Sequence, residues 1–221
     1  MKNVLIISPH PDDEIIGCGG TLIKYSKSKK IKTYWLIVTK DNIELNWSKK
    51  QKYKRAQEIK KLQKKLKFKG TYQFNKEATK LNEKDYSTFI ENIKAIIFKN
   101  EINEILCPSE KDVHTDHQHI NKIIKSACKP FRNPSLNKVL FYETISETNQ
   151  NFSSIFKPQL FINIDKEINE KIKLMNNFKS EFGKHPFPRS KEAIKSLATL
   201  RGSQVNFKFA EAFEIYFQKV T

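Results

Sequence analysis

Arginine occurs only four times in these 221 residues, against 37 lysines, and glycine only six times. Three of the six glycines fall within Gly17-Cys18-Gly19-Gly20, the one stretch that invites a dinucleotide-fold reading. It lacks the third glycine of the phosphate fingerprint, and a charged turn separates it from the apolar run before it. Close packing at the start of a helix is the better account of these glycines. Cys18, Cys107 and Cys128 are odd in number and show no Cys-x-x-Cys spacing, which fits reduced structural thiols rather than a disulfide framework. No apolar stretch is long enough for a membrane span. Met1-Lys2-Asn3 leads straight into strand-like residues without a signal peptide's apolar region or cleavage site, so a cytoplasmic location is expected. Internal repeats and low-complexity linkers are lacking as well.

What remains has the pattern of one α/β domain over residues 1–221, a length within the usual range for a single core of this class. Apolar runs near 3–8, 31–39, 70–74, 104–107 and 138–143 predict strands. Amphipathic stretches near 14–28, 49–67, 85–99 and 117–128 predict helices between them, so βαβ units on a mostly parallel sheet are expected. The last third is less regular. It offers an apolar stretch Leu160–Ile164, a helix predicted over Asp165–Phe182, a proline-punctuated loop and a helix near Lys191–Leu200. Phe207, Phe209, Phe213 and Phe217 suit either a strand or an amphipathic helix.

Chemistry concentrates in two short segments. Pro9-His10-Pro11-Asp12-Asp13-Glu14 follows the apolar run Val4–Ile7 and sets an imidazole and two adjacent carboxylates at a strand end. His10 and Asp13 suit zinc or a similar divalent ion, which leaves Asp12 free for proton transfer. His114-Thr115-Asp116-His117 supplies a third ligand, because catalytic zinc usually takes three protein ligands and keeps one position open. One of the two histidines should complete the set, with the other standing nearby. Both segments follow predicted parallel strands, whose carboxyl ends are where such sites assemble.

These motifs resemble the LmbE/PIG-L family of zinc-dependent N-deacetylases. Further similarities are Arg55-x-x-Glu58, Phe141-Tyr142-Glu143-Thr144, Pro188-Arg189-Ser190, Arg201-Gly202-Ser203-Gln204 and Ala210-Glu211-Ala212-Phe213, in family order along nearly the whole chain. The resemblance implies a Rossmann-like three-layer fold and removal of acetyl groups from N-acetylglucosamine-type conjugates. The implied metal is zinc, with another divalent transition ion such as Fe2+ as an alternative. His10, Asp13 and His117 would be the ligands and Asp12 the base. A protonated His114 would face the tetrahedral oxyanion, with Asp116 orienting or charge-stabilising it. Arg55 and Arg189 would contact the sugar, an inference that gains from the scarcity of arginine, since a planar bidentate donor has no equivalent in lysine. His119 and His185 are expected to be solvated or structural. Three departures are visible: Asp112 stands where some members carry tyrosine, Thr115 replaces a frequent proline, and Thr39–Glu44 lacks the Thr-x-Gly-Glu pattern.

The formal net charge of +17 raises a different class, binding to nucleic acid or an anionic membrane surface. Lys49–Lys69 is its strongest case, with eleven Lys or Arg residues against the single acid Glu58. Base-reading features are missing and lysines also spread through the other helices, so no specific nucleic-acid partner is expected, only weak attraction to anionic surfaces. A metal-free relative that binds sugar without hydrolysis is the third class, but all five motif residues that such a protein would lose are present. The sugar's carrier and the oligomeric state are not legible.

Overall fold

Seven strands and six α-helices make up the described part of the computed structural model, residues 1–40 and 47–220. The chain runs β1 (Lys2–Ser8), α1 (Asp13–Lys27), β2 (Ile31–Thr39), α2 (Lys49–Lys65), β3 (Gly70–Lys76), α3 (Tyr86–Lys99), β4 (Glu104–Pro108), α4 (Thr115–Ala127) and β5 (Lys138–Tyr142). It continues with β6 (Leu160–Asn163), α5 (Ile168–Met175), α6 (Lys191–Ser203) and β7 (Ala210–Gln218). The sheet order is β3-β2-β1-β4-β5-β7-β6, with β1 to β5 parallel and β7 antiparallel to both neighbours. This is the expected α/β architecture with a mostly parallel sheet between two helical layers. Positions 41–44, where the third family departure falls, lie outside the described residues.

Alternation along β1 builds the layers. Val4 and Ile6 join a cluster with α1, α2, α5 and α6, while Leu5 and Ile7 join another with α3 and α4. Both faces of the central strands are therefore covered, which is why their sequences are continuously apolar. Gly17 behaves as expected of a packing glycine, since a Cβ there would lie 2.1 Å from Cδ2 of Tyr142, whose hydroxyl donates to Ile7 O. The three cysteines are free and buried. Among the described residues no helix is long and apolar enough to cross a membrane.

Two sequence expectations are corrected and one open choice is decided. The helix predicted over Asp165–Phe182 is confined to Ile168–Met175. Beyond it the chain turns, sinking Phe178 into the core and delivering Ser180 and Glu181 to Arg55. The phenylalanine-rich terminus is a strand; Val139 pairs with Phe217 but Leu140 with Ile215, so an extra residue in β7 sends Phe217 to the opposite face from Phe213. Helix α4 begins at Thr115 rather than 117, because His114 caps it: its Nδ1 accepts the Asp116 N–H at 3.1 Å.

Candidate metal centre and active site

Strands β1 and β4 are parallel neighbours, and the chain leaves β1 for β2 on one side while β4 flanks the other. That is a topological switch point, where the loops after the strands part and open a crevice. The loop after β1 carries His10 and Asp12 into it, with Asp13 in the first turn of α1. From the loop after β4 come His114, the cap of α4, and His117 in its first turn. Residues more than 100 positions apart thus meet at one end of the sheet.

His10 Nδ1, His117 Nε2 and Asp13 Oδ2 form a triangle with sides of 3.2, 3.3 and 3.4 Å. Donor atoms on ~2.0–2.1 Å bonds in a tetrahedral zinc site stand about 3.3 Å apart, so the triangle has the dimensions of one face of such a site. The other nitrogen of each imidazole meets a carboxylate, Asp112 Oδ2 at 2.7 Å for His117 Nδ1 and Asp116 Oδ2 at 3.2 Å for His10 Nε2. Carboxylates in this outer position fix ring orientation and raise ligand basicity. His10, His114 and Asp116 form a second grouping within reach of one ion. Its Asp116 Oδ2 already accepts the Thr79 N–H at 2.8 Å, which suits Asp116 to holding His10 from outside.

Charges in the cluster are strongly shifted. Burial alone would raise the Asp13 carboxyl, but the His117 charge and hydrogen bonds from His10 and His117 hold it well below its usual range. Burial opposes protonation of His10, yet its bonds to Asp116 and Asp13 push it up to about 9. His117, between Asp13 and Asp112, is also raised despite burial. Such proton-loaded imidazoles beside carboxylates form a site in which a cation can replace protons. Asp12 moves the other way from its neighbour: burial and then the Asp13 charge raise it to about 6, opposed by Arg189. Arg189 Nη1 donates to Asp12 Oδ2 at 2.8 Å and to Glu181 Oε2 at 3.1 Å.

The surroundings of three predicted site residues, His114, Asp116 and Arg55, bear on their expected roles. His114 is pushed down to about 4 by burial and the charges of His10 and His117, and its Nδ1 already accepts a backbone N–H. With the Nδ1 lone pair taken by the Asp116 N–H, the neutral ring carries its proton on Nε2. The Asp116 carboxylate bonds His10 and Thr79 instead of orienting the His114 ring. Arg55, expected at the sugar, is buried between Trp47 and Phe178, with its guanidinium committed to Pro11 O, Ser180 Oγ and Glu181 Oε1. It braces the metal loop. Arg189 stays partly exposed at the cleft. His119 takes a hydrogen bond with Tyr86, a structural role.

Asp112, Glu181 and the Thr79 N–H were not singled out by sequence reasoning as parts of the site. Asp112 registered only as a departure from tyrosine, although its position five residues before His117 is the signal that marks it. Glu181 and Thr79 border a cleft of about 570 Å³, walled on one side by α2 and containing His10, Asp12, Asp13, His114, His117 and Arg189, whereas Asp112 is buried behind His117.

The family model for PIG-L, GlcNAc-PI de-N-acetylase, matches residues 5–128, more than half of the chain. The chain belongs to the PIG-L family. A search of the curated proteins finds no match. Among solved structures, this PIG-L family member is similar to N,N'-diacetylchitobiose deacetylase from Pyrococcus horikoshii, with TM-score 0.76 and 22% identity over 97% of this chain and 83% of that one. It is similar to the 4-carboxy-2-hydroxymuconate hydratase of Pseudomonas putida KT2440, with TM-score 0.76 and 18% identity over 100% and 98%. Similarity extends to a zinc-inhibited form of teicoplanin deacetylase, with TM-score 0.74 and 11% identity over 99% of both chains. At these identities the likeness concerns the fold, on which both deacetylases and a hydratase are built.

Proposed function

We propose that this protein is a metal-dependent N-deacetylase that hydrolyses the acetamide of an N-acetylated amino-sugar conjugate, releasing acetate and a free amine. Family membership supports N-deacetylation of a sugar-type substrate. The observation that carries the metal dependence is the His10, Asp13 and His117 triangle, sized for one tetrahedral cation, with a second carboxylate beside it.

Zinc or a similar divalent ion held by those three residues would supply Lewis acidity and an acidified water. Asp12 takes the proton of the attacking water. Its carboxyl near 6 leaves it mostly ionised at neutral pH yet basic enough to accept one. Arg189 keeps that carboxylate aimed and ionised. His114 donates from Nε2–H to the developing oxyanion, its ring fixed by the Asp116 N–H on Nδ1. A neutral imidazole held this way has no spare acidic proton, so Asp12 returns its own proton to the departing amine. Asp112 and Asp116 position the two histidine ligands.

The test is acetate release from a panel of N-acetylhexosamine conjugates by zinc-loaded protein, with loss of activity on chelation and its return with metal. No acetate from any conjugate by fully loaded protein would refute the reading. Steep, salt-dependent binding to random DNA in its place would favour the polyanion-binding class.

A further inference from the structure

We propose that Glu181 is a positioning residue: by accepting hydrogen bonds from both Arg55 and Arg189 it closes a ring of contacts around the metal loop and fixes the guanidinium that serves Asp12. This deepens the deacetylase reading and rests on it for the role of Asp12. The ring can be followed bond by bond. Arg55 Nη1 donates to Pro11 O at 3.0 Å, and its Nη2 donates to Glu181 Oε1 at 2.5 Å. Glu181 Oε2 accepts from Arg189 Nη1 at 3.1 Å, and the same nitrogen donates to Asp12 Oδ2 at 2.8 Å. Pro11 and Asp12 are consecutive, so the circuit closes through the peptide bond between them.

Two of the chain's four arginines thus meet on one carboxylate. With Asp12 the ring holds two cations and two anions, and its charges balance internally. Side-chain exposures are 6% for Arg55, 3% for Asp12, 22% for Glu181 and 23% for Arg189, which leaves little water to screen the contacts. Removing the Glu181 carboxylate would leave two neighbouring guanidinium groups with no anion between them. Arg189 has the weaker hold of the two. Arg55 would keep Pro11 O, Ser180 Oγ and a contact to Glu58 at 3.6 Å, whereas the Arg189 side chain would keep only its bond to Asp12 among the described residues, its Nε being buried without a partner.

The segment between α5 and α6 is built to present this pair. Phe178 anchors its start in the core, and Ser190 ends it by capping α6, its Oγ accepting the Ala193 N–H at 3.1 Å. Between these anchors Gly183 forms a bridge with Ser190, and its N–H donates to Arg189 O at 3.4 Å. Glu181 and Arg189 therefore stand on facing arms of one narrow loop, eight residues apart in sequence and in contact in space. A larger residue at 183 would disturb that approach, since a Cβ there would lie 2.6 Å from Cδ1 of Phe187. Such anchoring matters because a misplacement of about 1 Å at a reacting centre can cost on the order of a hundredfold in rate. Arg55 alone would brace the metal loop; Glu181 makes that brace and the arginine at the base a single assembly.

Zinc-loaded wild type, Glu181→Gln, Arg189→Gln and the double variant are assayed for kcat and KM on an N-acetylhexosamine conjugate that wild type hydrolyses, with metal content and thermal unfolding followed in each. Glu181→Gln keeps the size of the side chain but sets an NH2 group where one arginine needs an acceptor. It should lower kcat roughly tenfold to a hundredfold and change KM by less than about threefold. In the Arg189→Gln background the same substitution should cost less than about threefold, because Glu181 acts through Arg189. Glu181→Asp keeps the charge and should recover part of the loss; it carries the same comparison if Glu181→Gln does not accumulate as folded protein. Heteronuclear NMR gives a readout independent of turnover, since four arginines give only four Nε–H signals. Rotation of the Arg189 guanidinium should be slowed in wild type and released in Glu181→Gln, while Arg201, paired with Glu143, should be unaffected. An unchanged kcat in Glu181→Gln, equal losses in both backgrounds, or an Arg189 signal indifferent to Glu181 would each overturn the proposal and leave the deacetylase reading intact. A protein that shows the slowed Arg189 signal and its release in Glu181→Gln, yet frees no acetate from any conjugate, would overturn the deacetylase reading and leave Glu181 as the mount of Arg189.

Discussion

Replacing Arg189 by Gln removes the cation bonded to Asp12 Oδ2 at 2.8 Å while keeping a side chain of similar polarity. The expected consequence is a shift of the acidic limb of activity. Asp12 stands near 6 because burial and the Asp13 charge raise it while Arg189 holds it down. An ion pair about 4 Å apart is worth ~4 kcal/mol at an effective dielectric constant near 20. Arg189 is partly exposed and shared with Glu181, which discounts that to roughly 1.5–3 kcal/mol, or about one to two pKa units. The base must be ionised to work, so activity is lost as pH falls through this pKa, and raising the pKa moves the loss to higher pH. The assay is the pH dependence of kcat/KM for wild type and Arg189→Gln, with metal content checked in both. The variant's deficit should be greatest near pH 6 and shrink above about pH 8. A uniform deficit across pH would mean that Arg189 acts only on substrate, and a limb moved downward would refute the assignment of Asp12 as the base it controls.

His10→Ala and His117→Ala should lose most bound metal by elemental analysis, whereas Asp12→Asn should retain it and lose most turnover; Asp13→Asn should behave as a ligand variant. Asp112→Asn should weaken zinc affinity about tenfold to a hundredfold in competitive chelator titrations, by removing the carboxylate on His117 Nδ1. Because His10 and His117 hold their protons more tightly than free histidine, metal affinity should fall as pH drops from 9 toward 6, and a flat profile would contradict the proton-loaded cluster. His114→Ala should cost roughly a hundredfold to a thousandfold in kcat with unchanged metal content, and no alkaline limb should be traceable to this residue, because burial and the His10 and His117 charges push it down to about 4.

The central sheet was legible because β1, β2 and β4 are buried on both faces, a condition that writes itself as unbroken apolar runs. The convergence of His10, Asp13 and His117 was equally legible, as imidazole and carboxylate at strand ends are few and distinctive. Partnerships were not. Nothing local to Asp116 says that its carboxylate crosses to His10 or that Thr79 donates to it, and Arg55 owes its bracing role to Glu181, 126 positions away. The partner of His114 was hidden for the same reason: Asp116 is its neighbour in sequence, but the backbone of that residue, not its carboxylate, meets the ring. In the last strand, one extra residue opposite β5 defeated periodicity.

The Asp12–Arg189 bond also has a consequence in time. A ribosome releases His10 and Asp13 first, His117 after about half the chain, and Glu181 and Arg189 only near the end. Residues 1–128 already contain β1 to β4 and α1 to α4, the elements that bring the three ligands together. If those residues hold an ion as proposed, its capture by a nascent chain would precede the arrival of the arginine bonded to Asp12. Until then the carboxyl beside the captured ion would stay protonated longer as pH falls, and the growing polypeptide would hold its metal in an unarmed state.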